Sequence, residues 1–472
     1  MKYKSYPKYK DSGVEWIDDI PEGWRISKIK HLANIRISNV DKKTKENEPE
    51  VLLCNYTDVY NNEDITSKLD FMKATASNEQ IKKLSLIKDD VIITKDSESP
   101  DDIAVPALVN KNLDNVVCGY HLALIRPNKF ELDGNFLFRS LQNKKINDQF
   151  VVAANGVTRF GISTYPIKNS YLIIPPFNEQ VNISSFLDKK TSELAKTIEK
   201  DTQLIELLQE KRIALINHAV TKGLDPDAKM KDSGVEWVRE IPEDWEIVPL
   251  NKFTTLVTDY VANGSFSSIR ANVQYKDEED YAILLRLVDN SNKFKGQFVY
   301  IDEHAYHFLS KTKLNPGDII LSNVGATLGT VFRAPNLNKP MSLAPNVLLI
   351  RAKDEIASDY IYYWLKSNIG QYSIKRIVTE TTQPKFNKGN FRKLPVISPP
   401  INEKGKIINF IENENYKIER IIDKIQNKVK LMEEYKKSLI HHVVTGRVDV
   451  RGDDSLNQIH QKKDSKLTSL TI

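Results

Sequence analysis

The residues nearest to a phosphate-cradling loop are Gly325-Ala326-Thr327-Leu328-Gly329-Thr330. Closely spaced glycines let backbone N–H groups approach an anion, but the lysine that would reach the phosphates is missing, so the stretch reads as a turn between strands. The eight histidines include no HExxH. His441 and His442 are neighbours on a helical run and cannot share one face, so they form no metal pair. Cys54 and Cys118 lack metal-ligand spacing and are expected to be reduced thiols. No activated nucleophile, metal set or acid–base pair stands out. The reading is a binding protein with no catalytic residues, no metal and no cofactor of its own.

Two Pro-Pro sites test that reading. Amino-methylating DNA methyltransferases carry a loop of the form [DNS]PP[YFW], whose polar residue and proline carbonyls hold the target amino group while the ring stacks on the base. Here Ile174-Pro175-Pro176-Phe177 lacks the polar residue and Ser398-Pro399-Pro400-Ile401 lacks the ring. Both pairs serve instead to force the chain extended and start a helix.

Those helices organise the chain. Asn178 to Thr221 returns, without a gap, at Asn402 to Thr445, an offset of 224 residues. Each copy carries a 4-3 seam: Leu187, Thr191, Leu194, Ile198, Asp201, Ile205, Leu208, Arg212, Leu215 and Ala219, then Ile411, Asn415, Ile418, Ile422, Ile425, Val429, Met432, Lys436, Leu439 and Val443. That spacing makes a narrow apolar stripe for helix–helix packing. The polar exceptions match in position (Thr191 with Asn415, Arg212 with Lys436), as expected of two copies facing each other about a two-fold axis. A second repeat, KDSGVEWIDDIPEGWRI at Lys10 to Ile26 and KDSGVEWVREIPEDWEI at Lys231 to Ile247, marks an internal duplication. In the first copy Trp16, Ile20 and Trp24 should give an apolar underside that docks on the neighbouring domain.

The segments between are of nearly equal size and share fainter echoes. SLIKDDVIITKD (85–96) answers KLNPGDIILSNVGATLG (313–329), and GYHLALIRP (119–127) answers SLAPNVLLIRA (342–352), each strand-like. The expected fold class is α+β: two mixed α/β globular domains separated by two long helices packed as an antiparallel coiled coil. The boundaries read 1–177, helix 178–222, 223–401, helix 402–450, and a polar tail 451–472 expected to be disordered.

Composition agrees with a folded soluble protein, 40% hydrophobic and 28% charged, and the net charge of +5 permits a polyanion partner without demanding one. The amino terminus has no apolar segment and no run approaches the roughly 20 residues of a membrane span, so a cytoplasmic protein is expected.

Two boxes of the form SGVEW(I/V)xxIPExW, each ahead of a variable domain, then PPxNE and a long helix ending in EKRIALINHAVTKGL or EYKKSLIHHVVTGRVDVR, resemble the specificity subunit of type I restriction-modification enzymes. The resemblance covers nearly the whole chain except the tail. It implies that the globular segments are target recognition domains and the helices conserved spacers. It further implies double-stranded DNA as ligand, read as two half-sites about an unspecified gap. Two methyltransferase subunits would bind it and motor-nuclease (restriction) subunits would join, with AdoMet, ATP and Mg on those partners. The two domains differ in sequence, so the target should be asymmetric.

On that reading, polar residues just past strand ends are the candidates for DNA contact. In the first domain these are Lys95, Asp96, Ser97 and, in the loop Asn155-Gly156-Val157-Thr158-Arg159-Phe160, Asn155, Thr158 and Arg159. In the second they are Asn323, Thr327 and, in the loop Thr381-Thr382-Gln383-Pro384-Lys385-Phe386, Thr381, Thr382, Gln383 and Lys385. Two alternatives stay open: a self-contained DNA methyltransferase, and a coiled-coil tether whose domains bind other proteins.

Overall fold

The computed structural model describes residues 4–379 and 384–452; the tail past Gly452, and with it the expected disorder, lies outside them. The described residues fall into two compact units, those within 1–201 and 427–472 and those within 202–426.

In the first unit a five-stranded sheet runs in the order Ala33–Ile37, Leu122–Pro127, Val91–Thr94, Pro106–Val109, Asp64–Ile65. A three-stranded sheet, Val116–Cys118, Glu50–Cys54, Met72–Thr75, shares a buried core with one face of it. Side chains alternate across a strand, and here both faces are covered. Val91 and Ile93 enter one core with Ala123 and Ile125, while Ile92 enters another with Leu122 and Leu124. That double burial is why these strands read as continuous apolar runs rather than alternating ones.

The second unit repeats the plan. Thr254–Asp259, Val347–Ala352, Ile319–Ser322 and Val331–Arg333 form one sheet. Ile319, Leu321, Leu348 and Ile350 face one core, and Ile320, Val347 and Leu349 the other. The strands that the two sequence echoes pointed to are central in both units. Cys54 and Cys118 are register partners on neighbouring parallel strands, both buried free thiols whose acidity burial suppresses.

The Pro-Pro pairs start the helices. Amides of Glu179 and Gln180 donate to the Pro176 carbonyl, those of Glu403 and Lys404 to that of Pro400. The helices run Phe177–Lys222 and Ile401–Val444. Each gives one half to each unit, and within each unit the two halves run antiparallel. In the first, Asp201 meets Lys428 at 2.8 Å, and Leu439, Ile440 and Val443 share a core with Ile183, Phe186 and Leu187. In the second, Arg212 faces Glu419, and Ile216, Ala219 and Val220 share a core with Ile407, Ile408 and Ile411. Every one of the seam positions named above is buried or half-buried.

Three of the four matching polar seam residues, Thr191, Asn415 and Lys436, bond to the globular domains, while Arg212 faces Glu419 of the opposing helix. Thr191 accepts from Arg139, which also bridges Asp188, and Asn415 bonds Tyr363 at the corresponding place. Lys436 pairs with Glu63 at 2.6 Å.

Burial alone would raise the Glu63 carboxyl, but the Lys436 ammonium and the Arg139 guanidinium outweigh it and hold the group below the usual carboxylate range. A depressed folded pKa contributes stability that is present above the unfolded value, about 4.3, and is lost as pH falls through the folded one. Acid unfolding of the first unit should therefore begin below about pH 4.3, and Glu63→Gln should flatten that limb. An unchanged acid limb in the variant would show that the tether contributes nothing.

The duplicated box docks as its tryptophans suggested, with one difference. Ile20, Trp24, Ile241 and Trp245 are buried, but Trp16 keeps 37% of its surface exposed. Trp245 Nε1 donates to Glu403 Oε2 at 2.8 Å. In the first unit the corresponding Glu179 accepts from the Tyr6 hydroxyl instead, and Trp24 Nε1 finds no partner among the described residues.

Candidate nucleic-acid interface

At the end of Val91–Thr94 the chain passes through Lys95 into a two-residue strand, Asp96–Ser97, that pairs with Phe160–Gly161. Asn155 and Gly161 exchange both backbone hydrogen bonds, at 3.0 and 2.9 Å, and close the loop between them. Gly156 makes that closure possible: at φ +152 a Cβ there would lie 1.9 Å from the Arg159 carbonyl oxygen. Lys95, Asn155, Thr158 and Arg159 are thus gathered at one end of the sheet, with 155–159 exposed. Ser97 is there too but buried, bonded to Tyr56, so it supports the surface rather than forming it.

The same end carries residues that the strand-end rule missed. His121 Nδ1 lies 2.5 Å from Asp96 Oδ2, and Lys95 Nζ lies 3.2 Å from the same oxygen. Tyr120 is exposed against the His121 ring, and Tyr56 stacks on Tyr60, whose hydroxyl donates to Asp102. The Asp102 carboxylate raises the Tyr60 pKa, so the phenol stays a donor.

The second unit builds the equivalent end from different side chains. After Ile319–Ser322 come Asn323 and a tight turn, Gly325–Thr327. Val324 bridges Lys385, the Gly325 amide donates to the Pro384 carbonyl, and the Thr379 amide to that of Lys385. Asn323, Thr327 and Lys385 are therefore brought together, with Thr327 exposed and bonded to Ser322 at 3.0 Å. Thr381, Thr382 and Gln383 lie outside the described residues. The glycines of 325–329 serve a turn at φ +74 and +91, as the missing lysine indicated. Here the strand-end rule missed Arg286, fixed by Asp289 at the start of Leu287–Ser291, and the exposed Asn346. The capped helix after Ala282–Leu285 answers Tyr56–Tyr60 after Glu50–Cys54, each with an aspartate closing a capping box.

Among the described residues no group of three His, Cys, Asp or Glu is placed to hold a metal ion, and no helix is long and apolar enough to cross a membrane. His441 sits half-buried, its Nδ1 3.1 Å from Asn143 Oδ1, with burial lowering its pKa.

Each of the two unlike domains thus has a like end that offers exposed amides, hydroxyls and cations beyond its strand tips. The family profile described as "Type I restriction modification DNA specificity domain" matches residues 21–207 and again 242–431. The chain belongs to that family. It is similar to two proteins of Methanocaldococcus jannaschii. One is named as the specificity subunit of the type I restriction enzyme MjaX, 21% identical over 446 residues, 92% of this chain and 96% of that one. The other is the MjaVIII specificity subunit, 21% identical over 447 residues, 92% and 94%. Its fold is similar to that of a chain in a structure reported for the assembly and conformational transition of the type I R-M system, with a TM-score of 0.64 at 14% identity, covering 91% of this chain and 99% of the other.

Proposed function

We propose that this chain is the non-catalytic DNA-reading subunit of a type I restriction-modification complex working in the cytoplasm. Each unit reads one half of an asymmetric bipartite target, and the long helices set the gap and dock two methyltransferase subunits. AdoMet, ATP and Mg act on those and on the restriction subunits. The observation that carries the reading is the paired strand-end surface, equivalent in backbone and different in side chains. Methylome sequencing of the source cell with and without the chain tests it: one gapped, asymmetric motif should disappear. Methyl transfer from labelled AdoMet by the purified chain alone would instead favour a self-contained methyltransferase.

The docking of two partners has support on the helices. Leu207 and Leu431 occupy equivalent positions in the repeat, outside the seam, and stand 60% and 64% exposed. Burying a leucine contributes roughly 1.5–3 kcal/mol, so Leu207→Glu or Leu431→Glu should each weaken one methyltransferase site by about tenfold or more. Mass photometry should count one bound copy for each single variant and none for the double. Two copies retained by the double variant would place the docking elsewhere.

A further inference from the structure

We infer that His121 and Asn346 are a matched pair of base-reading residues, one for each half of the DNA target. The inference rests on the proposed function and deepens it. Each residue immediately precedes the central strand of its unit, Leu122–Pro127 or Val347–Ala352, and each is in the left-handed region, at φ +71 and +65. Each carbonyl accepts the amide of the first residue past the neighbouring strand, Lys95 to His121 at 2.8 Å and Asn323 to Asn346 at 3.3 Å. The backbone at the two places is therefore equivalent, and it lies at the sheet end where the candidate surface forms.

A side chain in that conformation is strained, and glycine would fill the turn without strain. Histidine and asparagine tolerate it better than most, which by itself would make them turn formers. What sets them apart is what the side chains do. The Asp96 carboxylate can only accept, so His121 Nδ1 donates to it and the ring is held with Nε2 as its other polar atom. Lys95 shares that carboxylate, and a Cβ on Gly161 would crowd Asp96 Oδ1 at 2.7 Å, so Asp96 is a positioning residue packed from three sides. Asn346 is exposed at the surface. Its amide NH2 can donate to adenine N7 and its amide oxygen can accept from adenine N6 in the major groove.

His121→Gly and Asn346→Gly separate the two roles, because glycine relieves the backbone while removing the reader. The full chain, assembled with its methyltransferase subunit, is used to select from a random duplex pool. His121→Gly should lose about tenfold preference at a position of the first half-site only, and Asn346→Gly at an adenine of the second half-site only. Thermal stability should hold or rise in both. Motifs identical to that of the unaltered chain would overturn the inference and leave the proposed function standing. Failure of the unaltered chain to select any gapped motif would overturn the proposed function, and the inference with it.

Discussion

Asp318→Ala should destabilise the second unit by about 2–4 kcal/mol, and Asp90→Ala the first by a similar amount. Asp318 is buried and bonds Arg351 through both carboxylate oxygens, at 2.9 and 2.5 Å, while Arg351 also donates to the Lys313 carbonyl. Asp90 does the same with Arg126 at 2.7 Å to each oxygen, and Arg126 donates to the Ser85 carbonyl. Each aspartate also accepts the amide of a turn residue, Ile87 or Asn315. One carboxylate thus ties a turn, a central strand and its neighbour together. Removing it leaves a guanidinium and a backbone amide without their acceptor. The arginines keep some solvent contact, which places the expected cost below that of a fully buried pair. Urea unfolding gives the magnitude, and hydrogen exchange should localise the loss to the unit that carries the change. A cost under about 1 kcal/mol would mean water replaces the carboxylate easily.

That pair also shows what could be read from the sequence and what could not. The echoes KDDV and PGDI, IRP and IRA were visible as strand signals, and the strands stand where those signals put them. Nothing in either segment alone says that the aspartate of one reaches the arginine of the other, since the contact spans 33 to 36 residues. The helices were the most legible part, because a 3.5-residue period repeated over 44 residues leaves little freedom in which face is buried. The candidate surface was legible at its loops. It was not legible at His121, Tyr120, Tyr56, Arg286 or Asn346. These residues come from parts of the sequence other than the loops, and only the sheet's register brings them to the same end. Ser97 failed for the opposite reason: polarity marks a residue that needs partners, and it found them inside, against Tyr56.

Four residues inserted after Glu210 should widen the gap in the DNA target by roughly two base pairs, since the helix grows by about 6 Å at ~1.5 Å per residue and duplex DNA advances ~3.4 Å per pair. Four residues are a little over one helical turn, so the seam beyond the insertion stays near its original face, at the expense of a local unwinding. Because Arg212 faces Glu419 in the second unit, the opposing helix passes the insertion close to Arg420. A matching four-residue insertion there should restore the packing that the single insertion strains. The doubly extended chain is then expected to melt near the parent and to keep the widened gap, with both half-sites unchanged in sequence. Methylome sequencing reads gap and half-sites together. If both extended chains modify the parental spacing, the distance between half-sites is not set by these helices, and some other part of the assembly must hold the two readers apart.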